Sequence, residues 1–151
     1  MFNSFMKVAI EEAKLAQRIG EIPVGALITN SKNQIIARAH NRNRELNDPS
    51  AHAEIVAIRR ACLIIGSDRL LGCSIYVTLE PCSMCASAIS LSKIKSLYYG
   101  ASDVKSGGVE EGARIFSHKQ THFKPKIFSG FCENEISSLM QDFFTSIRHS
   151  K

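Results

Sequence analysis

The chain has 151 residues, 44% of them hydrophobic, enough for a single domain spanning 1–151 with a continuous core. Gly and Pro are not enriched, and no segment is long or biased enough for a disordered tail or linker. A formal charge of +5 suggests affinity for polyanions, while Lys7, Glu11, Glu12, Lys14 and Arg18 interrupt any export-signal core and no apolar run approaches a membrane span. The expectation is a soluble cytoplasmic protein.

Met6, Ala9, Ile10, Ala13 and Ala16 form a stripe that predicts a helix over 4–19, with Ser4 as its cap and Gly20 as its stop. "VGALIT" and "QIIARA" are short apolar runs separated by "NSKN", the punctuation of a hairpin. "NRNRELNDPS" reads as a polar loop, and helical spacing returns over 51–65 through Ile55, Val56, Ile58 and Cys62, ending at Gly66. The β-branched and aromatic "SIYVTL" at 74–79 is the clearest strand; Pro81 stops it and opens a helix through about Leu91. "SLYYG" and "KIFSG" read as two further strands, with a Gly-rich loop and a short helix between them. Ile136, Leu139, Met140, Phe143, Phe144 and Ile147 recur at three- and four-residue steps, the mark of a C-terminal amphipathic helix. The order αββαβαβ(α)βα predicts an α/β fold with one sheet covered by helices and its later strands joined by crossovers.

Five cysteines, an odd count without an export signal, argue for reduced thiols rather than a disulfide framework. Cys62, Cys73 and Cys132 have no close cysteine partner and read as small buried apolar residues. The remaining two stand in "PCSMC", residues 81–85. A lone C-x-x-C arises in redox turns, in structural zinc knuckles and by chance. Structural zinc needs a second close pair of ligands, and none exists; His118 and His122 lie in a polar stretch and read as surface residues.

Upstream stands "AHAE", with His52 and Glu54 at the opening of a helix. His52, Cys82 and Cys85 make three ligands and leave the fourth tetrahedral position open, the signature of a catalytic zinc. Helix starts favour thiolate at Cys82 and Cys85 and disfavour a protonated imidazole at His52. Two thiolates cancel the charge of a zinc ion, so its water is acidified less than on a three-histidine site. Such a site needs a nearby base, and Glu54 is the available one.

"HAE" followed by "PCSMC" matches the H-x-E…P-C-x-x-C signature of zinc-dependent nucleobase deaminases. With "EIPVGA", "HNRN", "DPSAHAEIVAIR", "YVTLEPCSMCA", "YGASDVKSG" and "DFF", nearly the whole chain resembles the bacterial tRNA-specific adenosine deaminases. The resemblance implies a three-layer α/β/α cytidine-deaminase-like fold around a five-stranded mixed sheet, a homodimer, and one zinc ion per subunit. It also implies hydrolytic conversion of the wobble adenosine of a tRNA anticodon stem-loop to inosine. Carried over by position, His52, Cys82 and Cys85 bind zinc, Glu54 shuttles protons, and Asn41 contacts the purine. Asp103, Lys105, Phe143 and Phe144 fall where the family touches the RNA, although one of the two phenylalanines fits the helical stripe equally well as a core residue. Glu80 is a candidate for ordering the metal loop but has no assigned role. The chain departs from the family at "GGVEEGA", where Glu110 and Glu111 would repel phosphates if they faced the RNA, and at Ser87, where a glycine is common. Two other readings stay open: deamination of a free base or nucleoside such as cytosine, guanine or cytidine, and a non-catalytic RNA-binding module stapled by zinc.

Overall fold

The computed structural model describes residues 1–149. Helix α1 (Phe2–Arg18) buries all five residues of the N-terminal stripe. It starts two residues before the expected position and has no side-chain cap, so Ser4 lies inside it and does not cap it. Strands β1 (Gly25–Thr29) and β2 (Ile35–His40) form the antiparallel hairpin. Asn30 shapes the turn between them, its Oδ1 accepting the Lys32 and Gln34 backbone N–H groups at 3.0 Å each.

The polar stretch after β2 is not all loop: it contains one helical turn, α2 (Asn43–Leu46). Helix α3 (Ala53–Ile65) is followed by β3 (Ser74–Leu79), α4 (Ser83–Leu91) and β4 (Ser96–Ala101). The short helix expected between the last two strands is a single 3₁₀ turn, Ile115–Ser117. Strand β5 (Lys126–Phe128) and helix α5 (Glu133–His149) complete the fold.

The five strands form one mixed sheet in the order β2-β1-β3-β4-β5, antiparallel on the β1 side and parallel from β3 through β5. Because successive side chains alternate across a strand, each strand feeds both faces. On one face Leu27, Tyr76 and Tyr98 pack with Met6, Ala9 and Ile10 of α1 and Ile136 of α5. On the other, Ala26, Ile28, Ile75, Val77, Leu97 and Tyr99 meet Val56, Ala57 and Ala61 of α3 and Ala86 and Ile89 of α4. The result is three layers, as the family resemblance implies.

Tyr76, Tyr98 and Phe128 are direct cross-strand partners, and their rings stack at 4.4 and 4.9 Å between centroids. Two glycines permit the helices to sit this close. A Cβ at Gly25 would lie 2.6 Å from the Ala13 nitrogen of α1, and one at Gly100 would overlap Ile136 Cδ1 of α5.

All five cysteines are free. Cys73 is fully buried as expected, whereas Cys62 and Cys132 are only half-buried. Among the described residues, no helix is long and apolar enough to cross a membrane.

Candidate active site

Strands β3 and β4 run parallel and end side by side at Leu79 and Ala101. Ligand sites of α/β sheets form beyond the carboxyl ends of such strands, and the chemically active side chains of this chain gather there. His52 is the residue that caps α3, and Cys82 caps α4, both in extended conformation. Cys85 follows in the first turn of α4 and is fully buried. His52 Nδ1 lies 3.6 Å from Cys82 Sγ and 3.5 Å from Cys85 Sγ, and the three ligand atoms fall within 4.8 Å of one another. Tetrahedral zinc with bonds of about 2.05 Å to nitrogen and about 2.3 Å to sulfur puts those atoms about 3.5 Å apart. The donor set and its spacing therefore fit one zinc ion per chain.

Glu54, only 4% exposed, occupies the first turn of α3 beside this triad. Burial pushes its carboxyl up to about 7, partly offset by its own backbone N–H, by His52 and by a hydrogen bond with Cys85. The triad itself titrates differently from the expectation based on helix starts. Cys82 is pushed down to about 4, first by its hydrogen bond with Cys85 and then by one with His52. Cys85 is pushed up, first by that same bond with Cys82 and then by burial and the Glu54 charge. His52 is also pushed up, chiefly by Cys82 with help from Glu54. Only Cys82 follows the helix-start argument; at the other two, direct contact with neighbouring groups outweighs the field of a helix end.

Above the triad opens a cavity of about 870 Å³, a volume within the usual range of small-molecule sites, about 300–1,000 Å³. Of the residues singled out in the sequence, His52, Glu54, Cys82, Asn41, Asp103, Lys105, Phe143 and Phe144 all line it, and Cys85 lies beneath. Asn41 is buried, and its Oδ1 accepts the Ala53 N–H at 2.8 Å, so it helps cap the start of α3. Its amide nitrogen has no hydrogen-bond partner among the described residues and remains available at the cavity wall. Phe143 is buried, packed edge-on against the more exposed Phe144 at 5.5 Å. One ring serves the core and the other the rim. Asp103 uses Oδ1 to accept the Lys105 and Ser106 N–H groups at 3.2 and 3.0 Å, shaping its own loop. Lys105 is exposed, as are His118 and His122 elsewhere.

Two buried carboxylates had no assigned role in the sequence reading. Glu21 accepts the Arg44 and Glu45 N–H groups at 3.1 and 2.9 Å and so holds α2 against the cavity wall. Glu80, 2% exposed, accepts the Asp103 N–H on one oxygen and those of Val109, Glu110 and Glu111 on the other. Its donors are backbone groups, which leave no side-chain signature in a sequence. The only available hint was an acidic residue ending an apolar strand with a glycine pair downstream.

At the departure over 107–113 the Glu110 and Glu111 amides bind Glu80 and the Glu110 carboxylate accepts the Tyr99 hydroxyl; Glu110 is exposed, but neither side chain lines the cavity. The positive charge is not concentrated at the mouth either. Its lining has Arg44 and Lys105 against Glu21, Glu54, Glu80 and Asp103. Lys95 and Lys126, by contrast, flank the starts of β4 and β5, at the opposite end of the sheet.

Residues 2–101 match the family model described as cytidine and deoxycytidylate deaminase zinc-binding region, a span that contains His52, Cys82 and Cys85. The tRNA-specific adenosine deaminase of Agrobacterium fabrum is 49% identical over 144 residues, covering 95% of this chain and 94% of the relative. The chain belongs to the tRNA-specific adenosine deaminase family. Its relative from Rickettsia bellii is 46% identical, covering 95% of this chain and 99% of that protein. A solved structure from work on A-to-I editing by tRNA:A34 deaminases at the wobble position of transfer RNA is 49% identical, with a TM-score of 0.88 over 90% of this chain and 98% of its own. The guanine deaminase of Nitrosomonas europaea shares the fold at 19% identity, with a TM-score of 0.81 over 93% of this chain and 83% of its own. The family's zinc-binding region and the spacing of the three donors thus agree on the metal.

Proposed function

We propose that this chain is a zinc-dependent enzyme that deaminates the wobble adenosine of a tRNA anticodon loop to inosine. The observation that carries the chemistry is the buried Glu54 beside three preassembled donors at the floor of an open cavity. The relatives, named for tRNA and adenosine, carry the substrate. In this reading His52, Cys82 and Cys85 hold the zinc, which when bound supplies the Lewis acidity that makes water nucleophilic near neutral pH. Glu54 accepts a proton from the attacking water and delivers it to ring nitrogen 1 of the adenine, making carbon 6 more electrophilic. Water oxygen bonds to carbon 6; Glu54 then takes the second proton from that oxygen and passes it to the amino nitrogen as the carbon–nitrogen bond breaks, so that ammonia leaves and the oxygen stays as the carbonyl of inosine. A carboxyl group poised near 7 serves both directions of transfer. This division of labour is that of zinc nucleobase deaminases as a class.

The target base must leave its stack, which an anticodon loop permits at about a few kcal/mol. In this reading the Asn41 amide nitrogen contacts a ring acceptor of the base and Phe144 stacks on a flanking base, supported by both residues lining the cavity. Asp103 and Lys105 meet the sugar-phosphate backbone in this reading. The chain works as one domain over 1–151, as a homodimer with one zinc per subunit, in the cytoplasm where its RNA substrate is found.

Incubation with an anticodon stem-loop carrying a wobble adenosine tests the reading, with inosine and ammonia as readouts and free adenine, cytosine, guanine and cytidine in parallel. Glu54→Gln is expected to keep its zinc while turnover falls by about 10²–10⁴-fold. Release of ammonia from a free base with none from the RNA would replace this reading with that of a small-molecule deaminase. Normal turnover by Glu54→Gln would remove the proton-shuttle role.

A further inference from the structure

The segment that follows β4 forms an arch over the cavity mouth. Asp103 is one foot, Val109 to Glu111 the other, and the crest of Val104, Lys105 and Ser106 is exposed and lines the cavity. Both feet rest on the same carboxylate. Glu80 Oε1 accepts the Asp103 N–H at 3.0 Å, and Oε2 accepts the N–H groups of Val109, Glu110 and Glu111 at 3.1, 2.9 and 2.9 Å. Gly107 lies directly on that carboxylate, since a Cβ there would be 2.6 Å from Glu80 Cδ. The Gly107 N–H closes the arch on the Asp103 carbonyl at 2.8 Å, and the Gly108 N–H reaches the Pro81 carbonyl at 2.8 Å, next to the ligand Cys82. The Glu80 backbone continues the sheet ladder by donating to the Ala101 carbonyl at 2.9 Å. One side chain therefore links the sheet end, the metal-ligand loop and the substrate side of the cavity.

We propose that Glu80 is a positioning residue, fixing the height and direction of the Asp103–Ser106 crest relative to the zinc ligands so that the RNA backbone meets Lys105 in register with the base in the cavity. Buried carboxylates retain this kind of role because four charge-assisted bonds to backbone N–H groups define a loop more sharply than packing does. The asymmetry of the four bonds makes the consequence of substitution specific. A glutamine can turn its one oxygen toward the three donors of the far foot, but its NH₂ then faces the Asp103 N–H, two donors without an acceptor. Glu80→Gln thus detaches the Asp103 foot alone and leaves the metal ligands in place.

The proposal rests on RNA being the substrate, and the test separates the two. With the wobble-adenosine stem-loop, Glu80→Gln is expected to raise KM about tenfold with kcat within about twofold and zinc content unchanged. If the crest is what Glu80 places, the KM penalty of Lys105→Ala must shrink in the Glu80→Gln background, because a detached crest no longer presents Lys105; two independent effects multiply. Gly107→Ala, which lifts the arch with Glu80 intact, is expected to reproduce the KM defect and decides the matter should Glu80→Gln fail to fold. Multiplicative penalties, a loss confined to kcat, loss of zinc from either variant, or an unchanged KM in a zinc-loaded, folded variant would each overturn the positioning role. Absence of inosine with the unsubstituted enzyme would instead overturn the substrate reading.

Discussion

Ile136→Ala tests whether α5 is an integral part of the core. The side chain is fully buried against the β4 face, opposite Gly100, where no side chain is present to fill a void. Removing Cγ1, Cγ2 and Cδ1 forfeits about 2.4 kcal/mol of transfer free energy at about 0.8 kcal/mol per group. A residual cavity of roughly 75 Å³ adds up to about 1.8 kcal/mol if its walls do not collapse. The expected loss is therefore about 3–4 kcal/mol, equivalent to a melting temperature lower by about 10 °C for a chain of this size. Urea unfolding of the zinc-loaded protein, followed by circular dichroism, measures it directly. Only Ile136 and Phe143 of α5 are buried, and α5 carries Phe143 and Phe144 to the cavity. The same substitution should thus weaken RNA turnover while zinc content is kept. A loss below about 1 kcal/mol would show that α5 opens separately from the rest of the protein and would refute this reasoning.

Asn41 separates a structural from a recognition role: Asn41→Ala should cost about 1 kcal/mol through loss of the α3 cap, whereas Asn41→Asp keeps an acceptor for Ala53 and should restore stability. If the amide nitrogen reads the base, Asn41→Asp still raises KM; full recovery of both properties would leave the cap as its whole role. Cys85→Ser should lower zinc content at least tenfold by metal analysis, and retention of the ion would exclude Cys85 as a ligand. His52 and Cys85 both hold their protons more firmly than usual, so zinc must displace protons on loading. Its apparent affinity should accordingly weaken as pH falls, with proton release detectable by titration in weak buffer; uptake without release would contradict the described contacts.

The elements legible in the sequence were those whose side chains announce their own environment. The stripe of α1, the β-branched run of β3 and the steps of α5 each came from local periodicity, and the structure has all three. The metal triad was legible for a different reason: few residue types bind zinc, so His52, Cys82 and Cys85 stand out even though 30 residues separate the first two. What escaped was non-local. Helix α2 forms in a segment rich in turn residues because Glu21, more than 20 residues upstream, holds its amides. Asn41 acts on Ala53 twelve positions away, and the partners of Glu80 are peptide groups that look alike in every sequence. Helix ends are visible in a pattern of residues, whereas the direct contacts of His52 with Cys82 and Cys85 are not.

Because His52 and Cys82 sit where helices spring from the sheet end, the reactive half of the site is fixed by the scaffold itself. The recognition half that we propose, Asn41 aside, lies by contrast on a single arch and the tail end of one terminal helix. Exchanging the exposed faces of those two parts, with Ile136 and the amides bound by Glu80 kept, is expected to re-target the catalyst without disturbing the chemistry beneath. A graft confined to residues 102–111 and to α5 is thus the smallest edit from which a new substrate preference should emerge.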